Sequence, residues 1–201
     1  MSEHYYTREP QTASDRKSLT VELRGFKLQL TSDAGVFSRD GVDYGSRVLI
    51  ERMDIPADAS VLDLGCGYGP IGLTAARLAP RGHVTMVDIN ERAVSLAAEN
   101  AKRNEIANIS AMQSDIYAAV EGRRFDVILS NPPIRAGKVV VHRILTEAAE
   151  HLKPGGSLWI VIQNKQGAPS ARAKLEEVFG EEQVEEIGKD KGYRVYRAKL
   201  V

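Results

Sequence analysis

The chain has 201 residues and no net charge, with 27 Lys plus Arg and 27 Asp plus Glu. This length predicts one domain with a buried core, and the balanced charge excludes a global basic field, so a nucleic-acid site would have to be a local patch. Cys66 is the only cysteine, which excludes an internal disulfide and favours a reducing compartment. With no apolar signal core and no apolar run of about 18 residues, we expect a cytoplasmic protein without a membrane span.

The first part of the chain is predicted to be an extension (residues 1–45) of a main domain (residues 46–201). Residues 1–17 are polar and contain a proline, so we expect a loosely ordered arm. Residues 18–30 alternate apolar and polar side chains on both sides of Arg24-Gly25. This pattern and this turn chemistry predict a β-hairpin.

After a loop over residues 35–45, a helix over about 46–53 leads into a region where short apolar strands alternate with helices. The predicted strands are 60–64, 83–88, 109–113, 125–130 and 157–163. The predicted helices lie near 70–79, 91–103, 139–152 and 170–179. Strict alternation predicts a parallel sheet with right-handed crossovers. This alternation ends with residues 182–189 and 193–200, which read as two successive strands. They predict a hairpin that inserts one antiparallel edge strand into the sheet.

The first strand of this region runs into a glycine-rich loop that opens a helix. Residues 61–72 are Val-Leu-Asp-Leu-Gly-Cys-Gly-Tyr-Gly-Pro-Ile-Gly, and such loops bring bare backbone against a nucleotide-like ligand. One frame satisfies the dinucleotide pattern G-x-G-x-x-G, which favours NAD. The other frame places a carboxylate at the strand end, which suits the sulfonium and amino-acid end of S-adenosylmethionine. The cofactor-binding residues predicted here are Asp63, Gly65, Cys66, Gly67 and Gly69.

Two further acids extend this cofactor site. Asp88 ends one predicted strand, where it would accept hydrogen bonds from ribose hydroxyls, and Asp115 ends the next, where it would meet an adenine amino group. Ligands bind at the carboxyl edge of such sheets. Ile89 and Ile116, which follow these acids, complete the predicted set. In the alternative interpretation, Asp115 only caps a turn and the glycines only serve turn geometry.

A second loop carries the predicted chemistry. Residues 127–133 are Val-Ile-Leu-Ser-Asn-Pro-Pro, an apolar strand that ends in a rigid turn. The side-chain oxygen of Asn131 and the carbonyl of Pro132 can accept both hydrogens of a conjugated amine and aim its lone pair at a methyl donor. Asn131, Pro132 and Pro133 are therefore the predicted catalytic residues, and Asn131 also borders the cofactor. A turn without chemistry is the alternative, since Asn-Pro often opens loops.

Four segments of the sequence resemble the small-subunit ribosomal RNA methyltransferase C family, the guanine-N2 methyltransferases of 16S RNA, in its single-domain form. They are 33–46, 61–72, 125–133 and 193–198. The resemblance implies an α/β class I (Rossmann-like) methyltransferase fold: a seven-stranded, mostly parallel sheet with an antiparallel edge hairpin and an N-terminal β-hairpin. It also implies S-adenosylmethionine as the cofactor, and ribosomal RNA or the small ribosomal subunit as the partner.

The sequence departs from the family at two points. Ile134 stands where members often carry an aromatic residue after Asn-Pro-Pro, and the chain has one domain where several members have two in tandem. Phe37 or Tyr68 could stack on the target base instead, although Phe37 could equally fill the core under the hairpin. The predicted substrate contacts are Phe37, Ile134, Arg135 and Lys138, the last two as RNA phosphate ligands.

Other charged and titratable residues carry weaker signals. A second basic cluster over residues 189–199 is more simply a solvated face. The four histidines show no metal-ligand spacing, and Cys66 has no predicted nucleophilic role.

The pattern favours an RNA guanine-N2 methyltransferase and leaves three rival functions open. A protein glutamine methyltransferase could use the same Asn-Pro-Pro loop for an amide nitrogen. A small-molecule N-methyltransferase is disfavoured by the basic residues beside that loop. A non-enzymatic binding module is disfavoured because Asp88 and Asn131 are both present.

Overall fold

The computed structural model describes residues 5–201, which fold into nine strands and five α-helices. His4 and the first residues of the predicted arm lie outside the described residues. The elements in chain order are β1 (Lys17–Leu23), β2 (Phe26–Ser32), α1 (Tyr44–Arg52), β3 (Ser60–Leu64), α2 (Pro70–Leu78), β4 (His83–Asp88), α3 (Glu91–Arg103), β5 (Ile109–Gln113), β6 (Phe125–Ser130), α4 (Lys138–Glu147), β7 (Leu152–Gln163), α5 (Ala168–Phe179), β8 (Val184–Asp190) and β9 (Tyr193–Lys199).

The predicted elements are confirmed, and four of the strands, β3 to β6, have the predicted bounds. The largest difference concerns β7, which begins at Leu152 and not at 157. The sequence of residues 152–156 (Leu-Lys-Pro-Gly-Gly) does not predict this part of the strand, because proline and glycine are unfavourable in strands. The helix predicted to reach 152 ends at Glu147 and continues as a 3₁₀ turn over Ala148–His151. Among residues 5–201, no helix is long and apolar enough to cross a membrane.

The main sheet has the order β5-β4-β3-β6-β7-β9-β8. Its first five strands are parallel, and β9 runs antiparallel to both β7 and β8. The predicted insertion of one antiparallel strand into the sheet is confirmed. This strand is β9, which lies between β7 and β8, so the strand at the edge of the sheet is β8. Strands β4 and β5 lie on one side of β3, whereas β6 and β7 lie on its other side. The carboxyl ends of β3 and β6 therefore flank a crevice, and ligands bind at such a crevice in open parallel sheets.

Both faces of the sheet are covered, since successive side chains of each strand point to opposite faces. Val61 packs with the core under α1, α2 and α3, whereas Leu62 packs with the core under α4 and α5. The β1–β2 hairpin joins the first of these cores through Leu28 and Leu30, which are fully buried. Each such leucine contributes roughly 1.5–3 kcal/mol. The predicted domain boundary at residues 45/46 therefore crosses one continuous core, and the division stays a prediction.

The expectation of a loosely ordered arm is wrong for residues 5–16, which form no helix or strand but are held by hydrogen bonds. The N–H of Glu91 donates to the carbonyl of Arg8 at 3.0 Å. The buried carboxylate of Asp33 accepts the Ser14 hydroxyl at 2.7 Å and the Asp15 N–H at 2.6 Å. Burial alone would raise the pKa of Asp33, but these hydrogen bonds outweigh it and the pKa is lowered. The arm is thus fastened along α3 and the loop that follows β2.

Candidate active site

A pocket opens at the carboxyl ends of β3, β4 and β6, at the crevice described above, and the space within it and at its mouth is about 650 Å³. The glycine loop, the end of β4 and the Asn-Pro-Pro loop all contribute to its walls. The predicted site residues that line it are Phe37, Gly65, Gly67, Asp88, Ile89, Ile116, Asn131, Pro132 and Pro133. The structure therefore brings together residues from three separate strand ends, as the parallel sheet requires.

The glycine loop takes its shape from backbone conformations that favour glycine. Gly65, Gly67 and Gly69 have φ angles of 78°, 54° and 108°. The N–H groups of Gly65 and Cys66 both donate to the carbonyl of Val87 at 2.9 Å, which ties the loop to β4. The loop therefore presents little more than backbone to the pocket.

Gly72 allows α2 to pack directly on the sheet. A side chain there would begin 2.5 Å from the sulfur of Met86 and 2.8 Å from the Asp63 carboxylate. No side chain fits at these distances, so this glycine is required by close packing rather than by its backbone angles.

Asp88 is fixed between the glycine loop and α3. Its Oδ2 accepts the Gly67 N–H at 2.8 Å, and its Oδ1 accepts the Asn90 N–H at 2.9 Å. Burial raises the pKa of Asp88 to about 6, although these backbone N–H groups oppose the shift. The N–H of Ile89 also hydrogen-bonds to the carboxylate, so three of its roughly four lone-pair sites are engaged. Because Asp88 lines the pocket, it can still accept a hydrogen bond from a hydroxyl there.

Asp63 lies beneath the loop and is fully buried. Neither of its carboxylate oxygens has a partner with hydrogen-bond geometry. Burial raises its pKa to about 7; the nearby N–H of Gly72 lowers the pKa and the charge of Asp88 raises it. A buried carboxyl without a partner is unfavourable on its own. Asp63 does not line the pocket, so its predicted contact with the cofactor stays a prediction. A ligand with a positive centre nearby would favour the charged form of this carboxyl, and the sulfonium of S-adenosylmethionine is such a centre.

The loop after β5 gives a mixed result for the two predicted cofactor contacts there. Ile116 lines the pocket with φ 54°, an uncommon conformation for a β-branched residue. The Ser114 hydroxyl supports it by donating to the Ile116 carbonyl at 2.7 Å. Asp115 follows β5 by two residues instead of ending it, and does not line the pocket. Its side chain is 45% exposed and lies 3.7 Å from Arg8, so its proposed contact with adenine stays a prediction.

A smaller pocket, with about 360 Å³ of space including its mouth, adjoins the first and shares Phe37, Gly65, Gly67 and Asn131 with it. Cys66 lines it, but burial raises the pKa of the thiol, which is therefore protonated and not a nucleophile. Tyr68 also lines it, and is buried with its hydroxyl donating to the Ser38 carbonyl at 3.1 Å. Gly69 lines neither pocket and serves as the N-cap of α2.

Asn131 stands where the two pockets meet. Its side-chain Nδ2 donates to Asp43 Oδ2 at 3.0 Å and to Ser46 Oγ at 3.1 Å. Both acceptors belong to the start of α1, and sequence reasoning did not select either of them. The sequence feature that could have indicated them is the 35–45 loop, which leads to this helix and lies in one of the four segments that carry the family resemblance.

Aromatic residues form the outer wall of the larger pocket. Phe37 lines both pockets and belongs to neither core, which argues against its role as a core residue under the hairpin. Tyr5 and Tyr6 of the arm line the larger pocket beside it. No sequence pattern had indicated these two tyrosines, since nothing local connects the arm to the crevice.

The residues after Asn-Pro-Pro lie outside the larger pocket. Ile134 and Lys138 line a separate groove between α4 and α5. Arg135 lies at the rim, where its charge and its backbone N–H act on the Tyr5 hydroxyl. These three residues are therefore adjacent to the predicted catalytic loop without touching the space that it encloses.

The basic cluster over residues 189–199 is partly neutralised by the neighbouring strand. Arg194 pairs with Glu186 at 2.9 Å, and Arg197 pairs with Glu185. Both acids lie on β8 and outside the cluster in sequence, so no local pattern connects them with these arginines. Among residues 5–201, no group of three or more His, Cys, Asp or Glu side chains could hold a metal ion.

The family model for the methyltransferase small domain matches residues 27–197. The chain belongs to this family. It is an S-adenosylmethionine-dependent methyltransferase with the class I fold, which confirms the predicted fold class and cofactor. The free carboxyl of Asp63, the fixed carboxylate of Asp88 and the bare glycine loop are the features of this methyltransferase that fit the cofactor.

Three similar proteins illustrate the relationship. YbxB of Bacillus subtilis (strain 168), described as uncharacterized, is 51% identical over the full length of both chains. The ribosomal RNA small subunit methyltransferase C of Vibrio cholerae (strain O395) is 31% identical, over 91% of this chain and 53% of that protein. The T. thermophilus 16S rRNA N2 G1207 methyltransferase, solved with AdoMet and guanosine, has a TM-score of 0.82 at 28% identity, over 96% of this chain and 52% of that one. This methyltransferase thus spans about half the length of both ribosomal RNA enzymes.

Proposed function

We propose that this methyltransferase acts on an exocyclic amine of RNA, namely the N2 of a guanine in 16S ribosomal RNA. The observation that carries the proposal is the position of Asn131 and Pro132 in one pocket with Asp88 and the glycine loop. An acceptor for amine hydrogens thereby lies beside the predicted cofactor site. A cytoplasmic location is part of the same proposal, since ribosomal RNA is the substrate.

The chemistry is mainly one of positioning. Bound S-adenosylmethionine supplies a methyl group on a positively charged sulfur. The Asn131 side-chain oxygen and the Pro132 carbonyl accept the two hydrogens of the amine, which turns its lone pair out of conjugation with the ring. A nitrogen held in this way can form a bond to the methyl carbon as the carbon–sulfur bond breaks. Because the methylated amine is acidic, it loses a proton without a dedicated strong base.

Guanine in RNA is favoured as the acceptor by the relatives and by the rim of the pocket. The ribosomal RNA small subunit methyltransferase C proteins are among the similar sequences, and one similar structure holds guanosine. A base must leave its stack to reach Asn131, and Arg135 follows the Asn-Pro-Pro loop at the rim, where the surrounding phosphates would pass. We therefore propose for this chain the same kind of substrate that the names of those relatives give.

The test is methyl transfer to several acceptors side by side. Purified 30S subunits, naked 16S RNA and a release-factor protein are incubated with labelled S-adenosylmethionine, and the modified nucleosides and residues are identified by mass. We expect N2-methylguanosine from 16S RNA or 30S subunits taken from a strain that lacks the enzyme. Methylated glutamine would favour the protein methyltransferase, and absence of label in any RNA would overturn the proposal.

A further inference from the structure

We propose that Asp43 and Ser46 are positioning residues for methyl transfer, because they fix the carboxamide of Asn131 with its oxygen turned toward the acceptor amine. The inference rests on the proposed function in one respect only, namely that Asn131 accepts a hydrogen from the amine that is methylated.

The contacts account for both donors of the Asn131 side chain. A carboxamide NH₂ has two hydrogens, and here one acceptor for each lies within range, Asp43 Oδ2 at 3.0 Å and Ser46 Oγ at 3.1 Å. With both hydrogens engaged by α1, the oxygen is the part of the carboxamide that remains for a ligand. Asn131 lines both pockets, so that ligand is whatever enters between them.

The opposite orientation of the carboxamide is unfavourable. A rotated Asn131 would set its own oxygen against the Asp43 carboxylate, which is an acceptor and has no hydrogen to donate. It would also turn its NH₂ toward the substrate amine, where two donors would meet. The hydrogen-bond partners therefore determine which way the amide faces, as they must for any Asn side chain.

The start of α1 is itself held firmly. Asp43 is the N-cap of the helix, where its Oδ2 also accepts the Ser46 N–H at 3.2 Å. A side chain at Gly45 would begin 2.8 Å from the ring of Tyr193 and 3.0 Å from that same oxygen, so glycine is needed for the close approach to β9. The Tyr44 hydroxyl donates to Asp190 at 2.6 Å, at the end of β8. The C-terminal hairpin thus anchors the helix end that orients Asn131.

The charge of Asp43 adds to the effect of its position. A carboxylate that accepts a hydrogen bond polarises the donor group, and in a half-buried site such polarisation is stronger than in water. The Asn131 oxygen therefore carries more negative charge, and it becomes a better acceptor as the attacking amine turns positive. Orientation and charge can be separated, since asparagine at position 43 keeps an acceptor oxygen without the charge.

The experiment compares four variants with Asn131→Ala. Asp43→Ser keeps a good N-cap but is too short to reach Asn131, Ser46→Ala removes the second acceptor, and the double variant removes both. Asp43→Asn is the conservative rescue. We expect the double variant to lower kcat by ~10²-fold, with the affinity for S-adenosylhomocysteine and the KM for the acceptor within about threefold of wild type, and Asp43→Asn to recover most of the loss. Asp40→Ser, an exposed acid of the same loop, is the matched control.

Two readouts distinguish orientation from a structural role. In the Asn131→Ala background, Asp43→Ser and Ser46→Ala should cause no further loss, because there is no carboxamide left to orient. In wild-type protein, the side-chain NH₂ of Asn131 should exchange with solvent more slowly than in the double variant, as NMR can measure without any substrate. Losses that add to that of Asn131→Ala, or unchanged exchange, would overturn the proposal. So would a tenfold or larger weakening of S-adenosylhomocysteine binding, which would make Asp43 a cofactor ligand. An Asn131→Ala enzyme with normal turnover would refute the proposed chemistry instead, whatever the exchange experiment gives.

Discussion

The ring of Tyr5 packs against the ring of Phe37, with their centroids 4.9 Å apart and their planes tilted by 49°. The buried side chain of Asn90 fastens both segments, since its Nδ2 donates to the carbonyl of Tyr5 at 3.1 Å and to that of Gly35 at 2.7 Å. The same Asn90 caps α3 with its Oδ1. One side chain, two residues after β4, therefore connects the arm, the 35–45 loop and the cofactor pocket.

Removing the rings of the arm should weaken cofactor binding. An aromatic contact contributes about 0.5–1.5 kcal/mol beyond its buried area, so the double variant Tyr5→Ala/Tyr6→Ala should raise the Kd for S-adenosylhomocysteine by about tenfold in calorimetry. The control Tyr5→Phe/Tyr6→Phe keeps both rings and should bind nearly as wild type. An equal Kd for the alanine variant would show that the arm covers the pocket without contributing to binding.

Asp88 should control the affinity for the cofactor and its dependence on pH. Loss of hydrogen bonds to a charged group costs about 1.5–3 kcal/mol, so Asp88→Ala should bind S-adenosylhomocysteine correspondingly more weakly. The pKa of Asp88 is raised to about 6 by burial, and protonation removes an acceptor for ribose hydroxyls. The affinity of the wild type should therefore fall as the pH drops below about 6. This decline should be absent in Asp88→Asn and retained in Asp58→Asn, an exposed acid just before β3.

Asp63 should make the folded protein less stable as the pH rises. Burial raises its pKa in the folded state to about 7, above the usual 3.8, so the folded protein retains the proton that the unfolded chain loses. The contribution of this group to the free energy of unfolding is therefore greatest below pH 4 and declines up to about pH 7. Asp63→Asn cannot titrate, so its stability advantage over wild type should grow by up to about 1.4 kcal/mol per pH unit in this window. Urea unfolding at pH 5, 6 and 7 measures the difference, and a constant difference would contradict the raised pKa.

Asn131→Ala should separate binding from chemistry. The side chain holds the acceptor rather than the cofactor, so S-adenosylhomocysteine affinity should stay within a few-fold of wild type. Turnover should fall by ~10²-fold or more, since lost positioning acts mainly on the transition state. If single-turnover methyl transfer proceeded at the normal rate, the Asn-Pro-Pro loop would be only a turn.

Arg135 and Lys138 should contribute to RNA affinity through phosphate contacts. Their joint replacement by glutamine should raise the Kd for RNA and reduce the dependence of log Kd on log salt by up to about two units, as expected for two lost contacts. Cofactor binding should not change. Lys27→Gln/Arg81→Gln removes two other cations outside the pocket and is the matched control. Equal salt slopes for the two double variants would argue against phosphate contacts by Arg135 and Lys138.

The sequence by itself determined the sheet, the order of its elements and much of the pocket. Strand and helix alternation depends on local periodicity, so β3 to β6 could be predicted to the residue. The glycine loop, Asp88 and Asn131 could be placed together for a general reason. The carboxyl ends of parallel strands share one edge, and each of these features directly follows or ends a strand.

Only the tertiary structure decided which groups act on those residues. Asp43 and Asn131 are 88 positions apart in the sequence, and Tyr5 of the arm and Asn90 are 85 positions apart. The acids that pair with Arg194 and Arg197 lie on another strand. Such contacts leave no periodic signal in the sequence, because they depend on how the hairpin, α1 and the β8–β9 unit pack against the sheet. The burial of Asp63, and hence its raised pKa, likewise follows from the packing of α2 at Gly72.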